Sequence, residues 1–268
     1  MIIPFTKAHG ARNDFLLTWR DQLPASLDEA SAAVAICNRN TGIGADGWLL
    51  VSKTENTSGA IQLLNSDGSR SEISGNGTRC AAAFLIEAGL AKDDVSIVTG
   101  AGLKHLHLLS RTGREFSFEM NMGSARIEEL RTTILDCDAT ILNVGNPQCA
   151  VFVERFGDHF EQGWRAIGAA LERHSRFPNR TNVSFVRVVD EHTLDVRFYE
   201  RGAGETMSSG TGSTGAAAAA FARGLVKSPV KVITPAGPLD LGWEGEEILL
   251  EGPAEIVASG EFYWDPDR

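Results

Sequence analysis

Ser74-Gly75-Asn76-Gly77-Thr78-Arg79-Cys80-Ala81-Ala82-Ala83 returns 135 residues later as Ser209-Gly210-Thr211-Gly212-Ser213-Thr214-Gly215-Ala216-Ala217-Ala218. Carried on to Gly89-Leu90 and Gly224-Leu225, the two stretches agree at eight of seventeen positions without a gap. The chain has 268 residues, so this offset is half its length to within one residue. A chance likeness between alanine-rich helices has no reason to fall there, whereas a duplicated chain does. The repeat predicts two similar domains about a pseudo-twofold axis, an N-terminal half over 1–126 and a C-terminal half over 127–268. The same offset sets Asn65 against Glu200 and Asp67 against Gly202, giving each glycine turn a polar lead-in. More loosely, Gly10-Ala11-Arg12-Asn13 echoes Gly145-Asn146.

Phe116, Phe118 and Met120 alternate with polar residues, as do Leu194, Val196 and Phe198, which is the period of half-buried strands. Ser26-Leu27-Asp28-Glu29 reads as a capping box that opens a helix to about Cys37. A further helix is predicted over 164–172, and residues 77–88 and 212–223 read as small-residue helices just after the glycine turns. Such helices lie deep against a sheet, because small side chains permit close approach. Strand runs around one buried helix in each half predict an α+β fold of mostly antiparallel strands.

Composition narrows the function classes. Hydrophobic residues make up 43% and charged residues 22%, enough for a packed core. The net charge of −10 argues against nucleic acid or an anionic membrane as partner. No apolar stretch reaches the ~18 residues of a bilayer span, and the N-terminus lacks the order of a signal peptide. Cysteines 37, 80, 137 and 149 show no paired spacing, which predicts free thiols in a reducing, cytoplasmic setting. Cys80 and Cys149 read as small buried residues.

A glycine turn entering a helix presents unpaired N–H groups at the positive end of the helix dipole, a place for carboxylate or phosphate. Two such turns in corresponding places can aim at one small anion, such as an amino-acid carboxylate. Ser74 and Ser209 would then flank the ligand, one removing a proton from a carbon and one returning it on the other face. The alternative is that both serines only cap their helices. His105 and His107 make half a metal site with no third ligand at convincing spacing, so no metal is predicted. No phosphate loop, dinucleotide fingerprint or pyridoxal-phosphate lysine is present, so no cofactor is predicted. Gly42-Ile43-Gly44 reads as a cleft-wall turn, His9 as a packed histidine, and His159, His174 and His192 as surface residues.

The stretches Gly42-Ile43-Gly44-Ala45-Asp46-Gly47, Asn65-Ser66-Asp67-Gly68, Gly75-Asn76-Gly77-Thr78-Arg79-Cys80, Gly145-Asn146-Pro147, Phe177-Pro178-Asn179-Arg180-Thr181-Asn182-Val183 and Glu200-Arg201-Gly202-Ala203-Gly204-Glu205-Thr206 resemble the diaminopimelate epimerase family, in family order and across nearly the whole chain. The resemblance implies two pseudo-symmetric halves, each a barrel-like sheet around a central helix. It implies a cofactor-independent amino-acid racemase or epimerase, commonly a homodimer, acting between LL- and meso-diaminopimelate in lysine and peptidoglycan precursor synthesis. A last strand, about 257–266, would return to the first half with Phe262-Tyr263-Trp264. Asn13, Asn65, Asn146 and Asn182 match side chains that hold the substrate's polar ends. Glu200 and Arg201 match a pair at its distal amino-acid group, and Gly75-Asn76 and Gly210-Thr211 match the two helix-end anion sites.

The departures from the family pattern concern proton transfer. The family's two proton-transfer cysteines are Ser74 and Ser209 here, and the histidine that follows Gly-Asn-Pro is Gln148. A thiol with a pKa of ~8.5 yields thiolate readily, whereas a serine hydroxyl must borrow a base. Glu200 can serve Ser209, but Gln148 cannot serve Ser74. Since one general base is worth roughly 10²–10⁴-fold in rate, the sequence predicts a weak or altered epimerase. The alternatives are a one-base proton-shifting isomerase built on Glu200 and a non-catalytic amino-acid-binding module.

Overall fold

The computed structural model describes residues 1–154 and 158–265, with the backbone alone for 158–162, so the side chain of His159 lies outside the described ones. The chain divides into two compact units, Met1–Met120 with Gly252–Arg268, and Asn121–Glu251.

The first unit is built from β1 (Ile2–Gly10), β2 (Asn13–Trp19), α1 (Glu29–Cys37), β3 (Gly47–Ser52), β4 (Gly59–Asn65), β5 (Arg70–Ser71), α2 (Gly75–Glu87), β6 (Asp94–Thr99), β7 (Gly102–Thr112) and most of β8 (Glu115–Ser124). The second holds β9 (Arg126–Ile134), β10 (Cys137–Asn143), β11 (Pro147–Phe152), α3 (Asp158–Glu172), β12 (Asn182–Asp190), β13 (Thr193–Glu200), β14 (Gly204–Thr206), α4 (Gly210–Ala222), β15 (Val230–Thr234), β16 (Gly237–Glu244) and the start of β17 (Glu247–Tyr263). Most neighbours pair antiparallel, with parallel pairs at equivalent places: β2–β3 and β4–β6 in one unit, β11–β12 and β13–β15 in the other. In the first unit β8 also pairs with β17, and β17 with β1, so the strands close into a barrel-like sheet.

Each sheet carries helices on both faces, which explains its unbroken apolar runs. Phe15-Leu16-Leu17 and Trp48-Leu49-Leu50-Val51 are all buried, as strands covered on two sides require. On one face Leu16, Trp48, Leu50 and Leu64 cluster with Ala32, Ala33 and Ile36 of α1. On the other lies α2, buried from Gly75 through Leu85. In the second unit Ile141, Val151 and Phe185 cluster with Trp164 and Leu171 of α3, and α4 is buried from Gly210 through Ala220. The two central helices also end alike. Gly89 (φ +73°) and Gly224 (φ +71°) take the left-handed conformation. Leu90 N–H then reaches Leu85 O, and Leu225 N–H reaches Ala220 O, the capping turn that glycine favours.

Several expectations shift in detail. The cap of α1 is Asp28, whose carboxylate accepts from the Ala30 and Ser31 N–H groups; Ser26 lies outside the helix. An aspartate at that position needs no capping box, because its Oδ1 alone takes both first free N–H groups while Oδ2 accepts from the Ser31 hydroxyl. The central helices start two residues earlier than predicted, directly after Ser74 and Ser209, and α3 starts at Asp158. Gly42-Ile43-Gly44 closes α1 instead of forming a cleft wall: Gly42 N–H bonds Asn38 O, and Ile43 and Gly44 N–H bond Ile36 O. A Cβ on Gly42 would stand 2.2 Å from Ala35 O, so only glycine allows that return.

The division between the units falls after Met120 and again after Glu251, whereas the sequence reading divides the chain after residue 126 and, from the family resemblance, returns a last strand of about 257–266 to the first half. The reason is strand pairing. Ile256–Tyr263 of β17 run antiparallel to β1 in the first unit, with Phe262 opposite Ile3. β9 pairs in the same way with β10 in the second.

Candidate active site

In the first unit Ser74, Asn76 and Asn13 gather at the N-terminus of α2, while Asn65 is tied to its own turn. Ser74 caps the helix, its Oγ accepting from Gly77 N–H at 3.1 Å. No carboxylate or imidazole bonds that Oγ among the described residues. Asn13 opens β2 after the two-residue turn Ala11-Arg12, both at positive φ (+48° and +61°), the conformation a tight hairpin demands. Its Oδ1 accepts from Asn76 Nδ2 at 3.2 Å, and its own Nδ2 donates to Asp46 Oδ2 at 2.7 Å. Asn76 is 1% exposed, and its Oδ1 accepts from Arg79. Beside this chain stands Asp14, paired with Arg39 at 2.7 Å and Lys7 at 3.0 Å. Burial works to raise its carboxyl, but the two cations overcome that and hold it below the ordinary value. Asn65 closes β4, and its Nδ2 bonds Ser69 Oγ at 2.9 Å.

The second unit repeats the plan with different side chains at the N-terminus of α4. Ser209 caps it, accepting from Gly212 N–H at 3.1 Å, and in addition donates to Glu200 Oε2 at 2.8 Å. The other oxygen of Glu200 accepts from Thr206 Oγ1 at 2.5 Å. Gln148, Asn182 and Glu200 stand at the ends of adjacent strands, with Gln148 opposite Asn182 in the β11–β12 register. Asn146 donates to Thr211 Oγ1 at 3.4 Å and accepts from Gln148 Nε2 at 2.6 Å. Gln148 is 1% exposed, with Oε1 buried and unbonded. Asn182 Oδ1 accepts from Arg201 N–H at 3.0 Å, and its Nδ2 donates to Pro147 O at 3.1 Å. Arg201 reaches Asn179 O at 3.3 Å.

Each group of predicted residues is thus held together within its own unit. Ser74 and Ser209 both cap helices, as the bland reading had it, but only Ser209 also touches a carboxylate. The cysteines take no part. Cys80 and Cys149 are fully buried, and burial pushes both thiols up to about 12. Four residues went unnoticed as individuals: Asp46, Arg79, Thr206 and Glu172. The first three stand inside quoted motifs. Glu172 is 1% exposed at the end of α3, pairs with Arg180, and accepts from Gly202 N–H at 3.3 Å.

The other histidines do local work. His105 Nδ1 bonds Ser96 Oγ at 3.0 Å and His107 Nδ1 bonds Asp94 at 2.8 Å, and among the described residues no group of three ligands could hold a metal. His9 is a third exposed beside Glu255; His174 is half-buried and His192 exposed. No described helix is long and apolar enough to cross a membrane.

The family model for diaminopimelate epimerase matches residues 5–128 and 140–257. A diaminopimelate epimerase of Pelotomaculum thermopropionicum is 36% identical over 96% of this chain and 98% of its own. One of Clostridium perfringens is 36% identical over 96% and 98%. Among solved structures, a probable proline racemase from Agrobacterium radiobacter superposes with a TM-score of 0.78 at 16% identity, covering 98% of this chain and 94% of that one. A hydroxyproline epimerase from Agrobacterium vitis gives 0.74 at 17%, covering 99% and 93%. At that identity the structural likeness speaks for the fold, while the sequence matches speak for the family. The chain belongs to the diaminopimelate epimerase family, and with it to the isomerases that epimerise amino acids.

Proposed function

We propose that this protein is an amino-acid isomerase of the diaminopimelate epimerase type whose proton-transfer strength is concentrated at Ser209 and Glu200, leaving ordinary two-base epimerisation weak. The observation that carries this reading is the 2.8 Å hydrogen bond from Ser209 Oγ to Glu200 Oε2, against a Ser74 Oγ that among the described residues meets the Gly77 N–H and no carboxylate. Epimerisation breaks the Cα–H bond, leaves its electron pair on Cα and the adjoining carboxylate, and returns a proton from the opposite face. Ser209 can take the Cα proton while passing its own to Glu200, so that no free alkoxide forms. Ser74 has no such outlet. The helix N-termini offer N–H groups to the substrate carboxylate, whose charge grows as the proton leaves. The family resemblance assigns polar contacts with a diamino diacid to Asn146, Asn182 and Arg201 of the second unit and, separately, to Asn13 and Asn65 of the first.

The bare Ser74 also favours a second reading, a one-base isomerase in which Glu200 returns the proton to the face it left. Incubation with LL-diaminopimelate in D₂O, followed by NMR, separates the two. Slow Cα–H exchange with inversion supports the first, exchange with retention supports the second, and saturable binding without exchange refutes both. The triple variant Ser74→Cys, Ser209→Cys and Gln148→His is expected to raise the rate of inversion at least 10²-fold, since it restores ionisable groups at both positions. A triple variant no faster than the parent overturns the account of the missing bases.

A further inference from the structure

The second turn of α2 holds a charge that the proton-transfer chemistry leaves unused. Arg79 is 0% exposed, and no carboxylate pairs with it among the described residues. Its Nε donates to Pro253 O at 3.1 Å, one terminal nitrogen donates to Asn76 Oδ1, and the other is buried with no hydrogen-bond partner. Space has been kept for it: a Cβ on Gly252 would lie 2.8 Å from the guanidinium carbon. Burial draws its pKa down to about 10, so it stays a cation at neutral pH. A buried cation with no counter-charge is costly, commonly several kcal/mol. The equivalent position of the second unit, Thr214, carries no charge, and its hydroxyl donates to Gly210 O at 2.9 Å.

We propose that Arg79 is a positioning residue for the carboxylate site of the first unit: it fixes the Asn76 amide with its nitrogen turned away toward Asn13, and lends the helix end a full positive charge that a bound carboxylate balances. An amide has a donor end and an acceptor end, and only its contacts decide which faces where. Arg79 can only donate, so it selects Oδ1 and leaves Nδ2 for Asn13 Oδ1 and an incoming anion. The N–H groups of Gly75 and Asn76 add their partial charges, so an anion gains both a dipole and a formal charge. The proposal rests on the amino-acid reading only for the identity of the ligand.

The test has two independent readouts. The first is the side-chain amide NMR signal of Asn76 in the ligand-free protein, which needs no substrate. In Arg79→Met it is expected to shift and lose its protection from hydrogen exchange. The second is calorimetric affinity for LL-diaminopimelate. It is expected to weaken about 10- to 100-fold in Arg79→Met, as for loss of a charge-assisted contact, and distinctly less in Arg79→Lys. Should Arg79→Met fail to fold, Asn76→Asp serves instead. It gives the guanidinium an internal partner, and is expected to raise Tm while weakening diaminopimelate binding at least tenfold. An unchanged Asn76 signal overturns the positioning claim, as do equal affinities in parent and Arg79→Met. If the parent binds no diaminopimelate, the substrate reading fails, and the Asn76 signal still decides the role of Arg79.

Discussion

Ser74 and Ser209 hold equivalent cap positions and differ in one neighbour. Each accepts an N–H from three residues on, at 3.1 Å in both helices. A cap of that kind suits serine whatever the function, so the cap itself says nothing about catalysis. The distinction is Glu200, which gives Ser209 a place to send its proton. Glu200→Gln keeps an acceptor oxygen for one of the two hydroxyls of Ser209 and Thr206, turns an amide NH2 toward the other, and removes the base. It is expected to cut Cα–H exchange by roughly 10²–10⁴-fold while diaminopimelate affinity changes little, which exchange NMR and calorimetry read separately. An equal loss in both would make Glu200 a binding group only. The pairing of Glu200 with Ser209 was an expectation carried by the family resemblance, since the repeat itself sets Glu200 against Asn65. The donor from Thr206 and the amide turned by Arg79 were not legible, because a side chain's orientation depends on neighbours that the linear order does not bring together.

The central helices form for local reasons and are placed by small residues. Runs of glycine and alanine, three successive alanines in α2 and five in α4, let sheet strands approach closely, which a leucine-rich helix would prevent. The two glycine turns are not equally tolerant. A Cβ at Gly212 would stand 2.7 Å from the ring of Phe198, which is buried, and 2.9 Å from Ser209 Oγ. At Gly77 the nearest atoms, on Phe15 and Ser74, are 3.3 Å away. Alanine gains about 1 kcal/mol over glycine within a helix, while overpacking costs about 1–3 kcal/mol. Gly77→Ala is therefore expected to be close to neutral in urea unfolding. Gly212→Ala is expected to lose about 1–2 kcal/mol net and to displace the Ser209 hydroxyl, lowering exchange activity as well. Equal stability of the two variants would show that Phe198 can move aside.

Across the whole molecule the thiols report on packing. Cys37, Cys80 and Cys149 are buried, and burial pushes each up to about 12; at Cys37 the Asp14 and Asp46 carboxylates add to it. Cys137, at the start of β10, is half-exposed. Because the thiolate is the nucleophile, iodoacetamide is expected to label Cys137 first in the native protein and the other three only on unfolding. Mass spectrometry of timed digests reads the order. Labelling of all four at one rate would mean that both units open readily.

By itself the sequence determined what short-range physics governs: the duplication, the two central helices with their serine caps and glycine ends, and the alternation of the strands. Each of these depends on residues a few positions apart. The family resemblance implied a last strand returning to the first half, and the end of β17 pairs with β1. Tertiary structure alone decided the rest. Arg79 meets Pro253 across 174 positions, and Asn76 meets Asn13 across 63. Contacts at such separations leave no period in the sequence, because nothing in the local chain changes when they form; burial and charge make them visible only once the sheet has closed around the helix.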